Sequence, residues 1–374
     1  MKLIFEKKSF LDSIIKVQRA SSQRTTLPIL ECILIDAKNN NIFLSSSDNE
    51  LFIKKQVEGK IEEKGSVAIE SKMLLDIIKK MPEDEDIIIN VNENKKCIIS
   101  SGKIEYKIMG KEEENFPPLP KFDKEINIDI NEFTFKNIVN QTIFSVATNE
   151  LNKTLTGECI EIEKNILKII SLDGFRVSIR KLVLDKEYNK IKKIVPAKTL
   201  QEVSRIIDGN VENNIKIYLS ENNIAFEFKN TIIVSNIING EFFDINKIIN
   251  DDYTTKIKIN RKELLESLDR FMIFSNEKKP VILEIKQNIL NLTLQSLVGE
   301  LKENIQIQKS GNDLMIGFNS KLILDALKVI DDEIINMYFT NSKTPCYIND
   351  KENNEKNNDY SYLYLILPTN IIKN

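Results

Sequence analysis

The stretch Leu3-Ile-Phe-Glu-Lys-Lys-Ser-Phe-Leu-Asp-Ser-Ile-Ile-Lys-Val17 returns twice further along the chain. It reappears as Ile128-Asp-Ile-Asn-Glu-Phe-Thr-Phe-Lys-Asn-Ile-Val-Asn140 and as Ile257-Lys-Ile-Asn-Arg-Lys-Glu-Leu-Leu-Glu-Ser-Leu-Asp269. Each copy opens with a short run of strand character. It then passes into apolar residues at helical spacing, as in Leu264, Leu265, Leu268, Phe271 and Met272. The starts lie about 125 to 130 residues apart, a normal domain size, so the period marks a triplicated unit.

A second, related helix is predicted later in each unit. These helices read Glu70-Ser-Lys-Met-Leu-Leu-Asp-Ile-Ile-Lys-Lys-Met81, Pro196-Ala-Lys-Thr-Leu-Gln-Glu-Val-Ser-Arg-Ile-Ile207 and Asn319-Ser-Lys-Leu-Ile-Leu-Asp-Ala-Leu-Lys-Val-Ile330. A lysine stands just inside each one (Lys72, Lys198, Lys321). Each unit is thus a near-duplicate of two halves, and six related helices are expected. Between them lie alternating runs such as Asn41 to Ile53 and Ile166 to Ile179, which predict β-hairpins turning at Asp48-Asn49 and Asp173-Gly174. The fold class is α+β, with antiparallel sheets and two helices on one face of each domain.

Linkers are expected near Phe116 to Asp123 and at Asn250-Asp251-Asp252, which divide the chain into domains 1–124, 125–252 and 253–374. The polar stretch Asn349 to Asp359 reads as a loop, and Tyr362 to Pro368 as a last strand.

Composition removes several function classes. The chain has 374 residues, too many for one ordinary core, with 41% apolar and 29% charged residues, a globular balance. It has no histidine, so no Ser-His-Asp triad, Cys-His pair or HExxH site exists. There is no GxxxxGK[ST] or GxGxxG loop. Cys32, Cys97, Cys159 and Cys346 are scattered, which fits a reducing cytoplasm and argues against structural zinc. The longest apolar runs fall far short of the ~20 residues that span a bilayer. The start carries Glu6 where a signal peptide keeps its apolar region, so secretion is not expected. The net charge of -3 does not exclude DNA binding, because the local field decides that.

The triple repeat, together with Arg24-Thr-Thr-Leu-Pro-Ile-Leu30, Leu155-Thr-Gly157, Leu172-Asp-Gly-Phe-Arg-Val177, Phe274-Ser-Asn-Glu-Lys278 and Leu365-Ile-Leu-Pro-Thr-Asn-Ile371, resembles the bacterial DNA sliding clamp family, the β subunit of DNA polymerase III. The resemblance runs along the whole chain in order. It implies the DNA clamp fold: three repeated domains, each with two helices on antiparallel sheets, dimerising head to tail into a six-domain ring around duplex DNA. It implies no catalysis and no cofactor. Its partners would be duplex DNA of any sequence, the polymerase III catalytic subunit, the clamp loader and other proteins with clamp-binding motifs.

A sliding surface needs flexible cations that attract phosphates without reading bases. The resemblance places Arg24, Lys72, Asn149 and Lys198 there, and the repeat itself singles out Lys72 and Lys198. It places a partner-peptide pocket at Leu155, Leu172, Gly174, Phe175, Arg176, Val177, Phe243, Lys247, Ile248, Leu365, Leu367, Pro368, Thr369 and Asn370. Phe175 stands where the family commonly has His, Phe243 where Pro is usual, and Thr369-Asn370 where an apolar residue and Arg are frequent. This implies a bulkier, less basic rim. Ile372-Lys373-Asn374 extend past the family's usual end. The dimer contact implied is Lys103, Tyr106 and Ile108 against Ile273, Phe274, Glu300 and Glu303. The alternatives are a clamp paralogue with specialised partners, a repeat scaffold without nucleic acid, and a nucleic-acid enzyme holding Mg²⁺ on carboxylates such as Asp173 and Glu158.

Overall fold

At the predicted places, strands hand the chain straight to helices. The computed structural model describes residues 1–22, 25–148, 152–249, 252–274, 279–296, 299–350 and 361–371. Among them lie helices α1 (Lys7–Val17), α2 (Ser71–Lys80), α3 (Glu132–Thr142), α4 (Ala197–Ile206), α5 (Arg261–Phe271) and α6 (Ser320–Val329). The handover is local chemistry. Glu70 ends the strand Ser66–Glu70, and its carboxylate accepts the N–H groups of Lys72 and Met73 at 3.0 Å each. Asn319 takes the Lys321 N–H at 3.0 Å, Asn260 that of Glu263 at 3.0 Å, and Asn131 that of Phe133 at 3.0 Å. Each such cap satisfies an orphan donor of the first turn and contributes about 1 kcal/mol.

The chain packs as two compact units. One is Met1–Phe135 with Thr199–Ile237, and the other is Lys136–Lys198 with Ile238–Asn374. Strand pairing explains why the middle of the sequence contributes to both. In the first unit Thr231–Asn236 pairs antiparallel with Leu51–Val57, in register Ile233 to Ile53. This joins strands of two repeats into one sheet, ordered Asn127–Asn131, Asn214–Leu219, Asn223–Phe228, Thr231–Asn236, Leu51–Val57, Ile42–Ser47, Cys32–Asp36, Ser66–Glu70. A second sheet runs Lys60–Glu63, Lys2–Phe5, Ile87–Val91, Lys96–Ser101, Ile104–Met109. The amphipathic face of α1 buries Phe10, Ile14 and Val17, and Phe10 stacks on Phe5 with ring centres 4.0 Å apart.

The second unit repeats the plan. Arg176–Pro196 pairs with Tyr362–Ile366, in register Val177 to Leu365. Its larger sheet runs Gly157–Leu172, Arg176–Pro196, Tyr362–Ile366, Cys346–Asn349, Ile334–Phe339, Thr255–Asn260, Gln308–Gly311. The smaller runs Glu300–Gln306, Ile289–Gln295, Val281–Lys286, Leu314–Phe318. Leu264, Leu268 and Phe271 of α5 and Ile323, Leu324 and Leu327 of α6 share one buried core with residues of both sheets.

Three expectations are refined. The segment from Phe116 to Asp123 carries no helix or strand, yet it is not a loose linker: Phe116 is buried against Phe52, Tyr218, Ala225 and Val234. Burying such a ring is worth about 2 kcal/mol. Asn349 belongs to the strand Cys346–Asn349, paired with Leu363, because its backbone completes the ladder. The rest of that polar stretch beyond Asp350 lies outside the described residues. The last strand stops at Ile366, and Leu367-Pro368 leave the sheet.

Candidate DNA, partner and subunit surfaces

The hairpin turn at Asp173 is built by one carboxylate. Asp173 Oδ1 accepts the N–H groups of Phe175 at 3.0 Å and Arg176 at 3.1 Å, and the Asp173 N–H donates to the Arg176 carbonyl at 3.3 Å. Gly174 has φ 90°, the left-handed conformation that glycine adopts without cost. No atom lies within 4 Å of where its Cβ would stand, so conformation rather than space selects glycine. The turn holds Phe175 out at 65% exposure. The Phe175 carbonyl then receives the Leu367 N–H at 2.9 Å, and the Gly317 carbonyl receives that of Thr369 at 2.8 Å. These two bonds lay the segment after the last strand beside the turn.

Leu172, Val177 and Leu365 are buried in one apolar cluster with Cys159, Phe242 and Ile245. Leu155 and Ile248 are half-buried against it. Phe175, Phe243 and Leu367 are exposed, as are Lys247, Thr369 and Asn370, and Pro368 is half-buried. The residues expected at the partner surface of the second unit thus divide into buried, half-buried and exposed side chains close in the fold. Two details were not legible in sequence. Phe242, not Phe243, is the buried member of the Phe-Phe pair. Arg176 is not a free cation: its guanidinium donates to Asp173 at 2.9 Å, to Asp325 at 2.7 Å and to the Phe144 carbonyl at 2.6 Å.

Lys72, Lys198 and Lys321 are each the second residue of their helices α2, α4 and α6, and all three are exposed. Arg24 and Asn149 lie outside the described residues. In the first unit, Ile104–Met109 is the outer strand of its sheet, with Tyr106 exposed, Ile108 half-buried and Lys103 exposed just before it. In the second, Glu300–Gln306 is likewise an outer strand. Ile273 is 80% exposed after α5, and Phe274 is half-buried. Glu300 is ion-paired with Lys302 at 3.0 Å, while Glu303 takes the Arg270 Nε–H at 3.2 Å, which holds its carboxyl below the usual range.

The carboxylates weighed for Mg²⁺ do not form a centre. Asp173 is used by its turn. Glu158 is wholly buried, and burial pushes its carboxyl up to about 8, against a small opposing effect of Thr142. Among the described residues no group of three or more His, Cys, Asp or Glu side chains is placed to hold a metal ion. Nor is any described helix long and apolar enough to cross a membrane.

Comparison with known proteins gives the same frame. Three family models match in sequence order: the N-terminal, central and C-terminal domains of the DNA polymerase III beta subunit, at residues 1–120, 129–244 and 246–368. The beta sliding clamp of Staphylococcus epidermidis is 32% identical over 380 aligned residues, covering 98% of this chain and 99% of that one. A DNA polymerase III beta subunit structure from Eubacterium rectale superposes with a TM-score of 0.94 at 43% identity, over 99% of this chain and 100% of that one. The DNA polymerase sliding clamp of Bacillus subtilis superposes with 0.93 at 31% identity over the full length of both. With every third of the sequence matched in order, this chain belongs to the bacterial DNA polymerase III beta subunit family, the sliding clamps.

Proposed function

We propose that the chain is a replicative sliding clamp, a processivity factor that encircles duplex DNA and tethers the polymerase to it. The observation that carries this is the triplicated frame with an exposed lysine at the second residue of each later helix, Lys72, Lys198 and Lys321. Cations on flexible stems, repeated by the fold, attract phosphates of any sequence and impose no register, which is what sliding requires. Arg24 and Asn149 join that surface by family membership.

In this reading the chain divides into clamp domains 1–124, 125–252 and 253–374. Two copies close head to tail, as heterologous contacts that complete a rotation do. The outer strands Ile104–Met109 and Glu300–Gln306 supply the joint, with Ile273 and Phe274 as its apolar part. The face formed by Leu155, Phe175, Phe243, Ile248 and Leu367 docks short peptides of the polymerase III catalytic subunit, the clamp loader and other clamp-binding proteins. The chain works in the cytoplasm, without catalysis and without a cofactor.

The test is retention on DNA with and without free ends. The protein is loaded onto a nicked circle by its clamp loader with ATP, isolated at high salt, and the circle is then cut. Survival on the circle and loss after cutting is the expected result. Equal loss from circle and linear DNA, with the matching loader, would reduce the interaction to ordinary electrostatic binding and overturn the reading.

A further inference from the structure

In each repeat the first residue of the leading helix reaches the end of the second helix, and the middle repeat does so with the opposite charge. In the first repeat that residue is Lys7, 2% exposed. Its ammonium donates to the carbonyl of Met81, just past α2, at 2.7 Å and to Glu83 at 2.5 Å. In the third repeat it is Arg261. Its guanidinium donates to the Leu327 carbonyl, in the last turn of α6, at 3.0 Å and to the Asp332 carbonyl at 2.9 Å. Both place a cation on carbonyls at a helix C-terminus, which lack intrahelical partners and form the negative end of the dipole.

In the second repeat the same place is held by Glu132, the first residue of α3. The backbone closes in the same way: the Glu132 N–H donates to the Asn213 carbonyl at 2.8 Å, as the Arg261 N–H does to that of Glu333 at 2.9 Å. The Glu132 side chain is wholly buried, at 0% exposure. Its Oε2 accepts the Gly209 N–H at 3.1 Å, and Gly209, at φ 76°, stands at the position of Asp332. Its Oε1 has no hydrogen-bond partner, and no lysine or arginine is paired with the carboxylate among the described residues. Counted from the ends of their helices, Ser204 and Ile207 fall at the positions of Leu327 and Met81. A buried carboxylate beside the negative end of α4, holding a single N–H, is an unfavourable arrangement unless positive charge joins it.

We propose that a potassium ion bridges Glu132 Oε1 and the carbonyls at the end of α4, in the place where the other two repeats put Lys7 and Arg261. One carboxylate with main-chain carbonyls is an all-oxygen, singly charged set, and carbonyl oxygens replace the hydration shell of potassium. A divalent ion calls for further carboxylates, and among the described residues no group of three or more His, Cys, Asp or Glu side chains is so placed. The ion holds α3 to the end of α4, the helix whose second residue is Lys198. The site lies within one chain and does not depend on the DNA-binding reading.

The test is thermal unfolding of the full chain in potassium chloride and in choline chloride at equal ionic strength. Potassium is expected to raise the midpoint by about 2 °C or more, as a ligand bound only by the folded state does. Glu132→Gln keeps the size and the acceptor for Gly209, removes the charge, and should abolish the difference between the salts. Glu132→Lys puts the first repeat's arrangement in the second and should unfold at the same temperature in both. Crystals soaked in thallium(I) acetate should show an anomalous peak beside Glu132 Oε1. Equal midpoints for the parent in the two salts, or a potassium effect that persists in Glu132→Gln, would each overturn the proposal. So would a water beside Oε1 with no thallium signal, which would mean that solvent alone completes the carboxylate.

Discussion

Arg176 Nη1 donates to Asp325 Oδ2 at 2.7 Å, tying the hairpin strand to helix α6. The same guanidinium holds Asp173 and the Phe144 carbonyl, and it lies 5.1 Å from the Phe144 ring centre. The two side chains are 11% and 23% exposed, so water replaces little of what the pair supplies. Arg176 therefore holds the turn that presents Phe175.

It follows that Arg176→Ala should lower the unfolding free energy by about 2–4 kcal/mol, because two partly buried carboxylates lose their partner. Arg176→Lys keeps the charge but cannot make the fork of bonds, and should recover only part of the loss. Urea unfolding of the variants measures both. A change in the alanine variant under about 0.5 kcal/mol would mean the pair contributes no more than an exposed surface bridge.

Glu158 gives a pH dependence with a definite sign. Its carboxyl is raised to about 8 in the folded chain from 4.5, chiefly by burial. A raised acid binds its proton in the native state while the unfolded chain has already released it. The stabilisation is fully present below 4.5, falls with rising pH up to about 8, and then levels off. The slope contributed across that window approaches about 1.4 kcal/mol per pH unit. Glu158→Gln should flatten the stability profile between these limits and leave the chain more stable than the parent at pH 8. Parallel profiles for the two proteins would show that Glu158 titrates normally.

How much of this was legible beforehand depends on the range of the forces involved. Strand and helix are encoded within a few residues, so the apolar spacing of Leu264, Leu265, Leu268 and Phe271 announced a helix, and the repeat multiplied each weak signal by three. The Asp173-Gly174 turn was legible for the same reason. The fate of Arg176 was not, because Asp325 lies 149 positions away and no local pattern predicts the pairing. Nor was the choice between Phe242 and Phe243, which one residue of register decides. The pairing of Thr231–Asn236 with Leu51–Val57, which draws strands of two repeats into one sheet, is equally non-local. Segments around Arg24 and Asn149 lie outside the described residues, so those two assignments rest on family membership.

The lysines make a prediction about salt. Lys72 and Lys198 are each the second residue of their helices, α2 and α4, and both are exposed. Each phosphate contact releases counterions and adds ~0.9 to the slope of log K against log salt. Lys72→Glu with Lys198→Glu should therefore reduce that slope by about 2 per chain and weaken unloaded DNA binding at low salt. Circular dichroism should show no loss of fold, since neither side chain is buried. An unchanged slope would remove both residues from the DNA surface.

Ile273 carries the last prediction. It is 80% exposed immediately after α5, an apolar side chain that the second unit leaves in water. In the first unit the outer strand Ile104–Met109 also exposes apolar residues, with Tyr106 at 37% and Met109 at 68%. An edge strand bearing such residues is an invitation to pair unless it is covered; Glu105 and Lys107, ion-paired at 2.8 Å, are charges it carries against open-ended pairing. If these surfaces meet between two copies, Ile273→Asp places an unpaired charge in the apolar centre of the joint. The dimer should then dissociate at concentrations where the parent stays paired, by about 2 kcal/mol or more, read by sedimentation velocity. The thermal transition of the isolated chain should move little, because the residue contributes almost nothing to its own unit's core. A variant that sediments as the parent does would place the subunit contact elsewhere, and a variant that unfolds would show that Ile273 supports α5 rather than a neighbour.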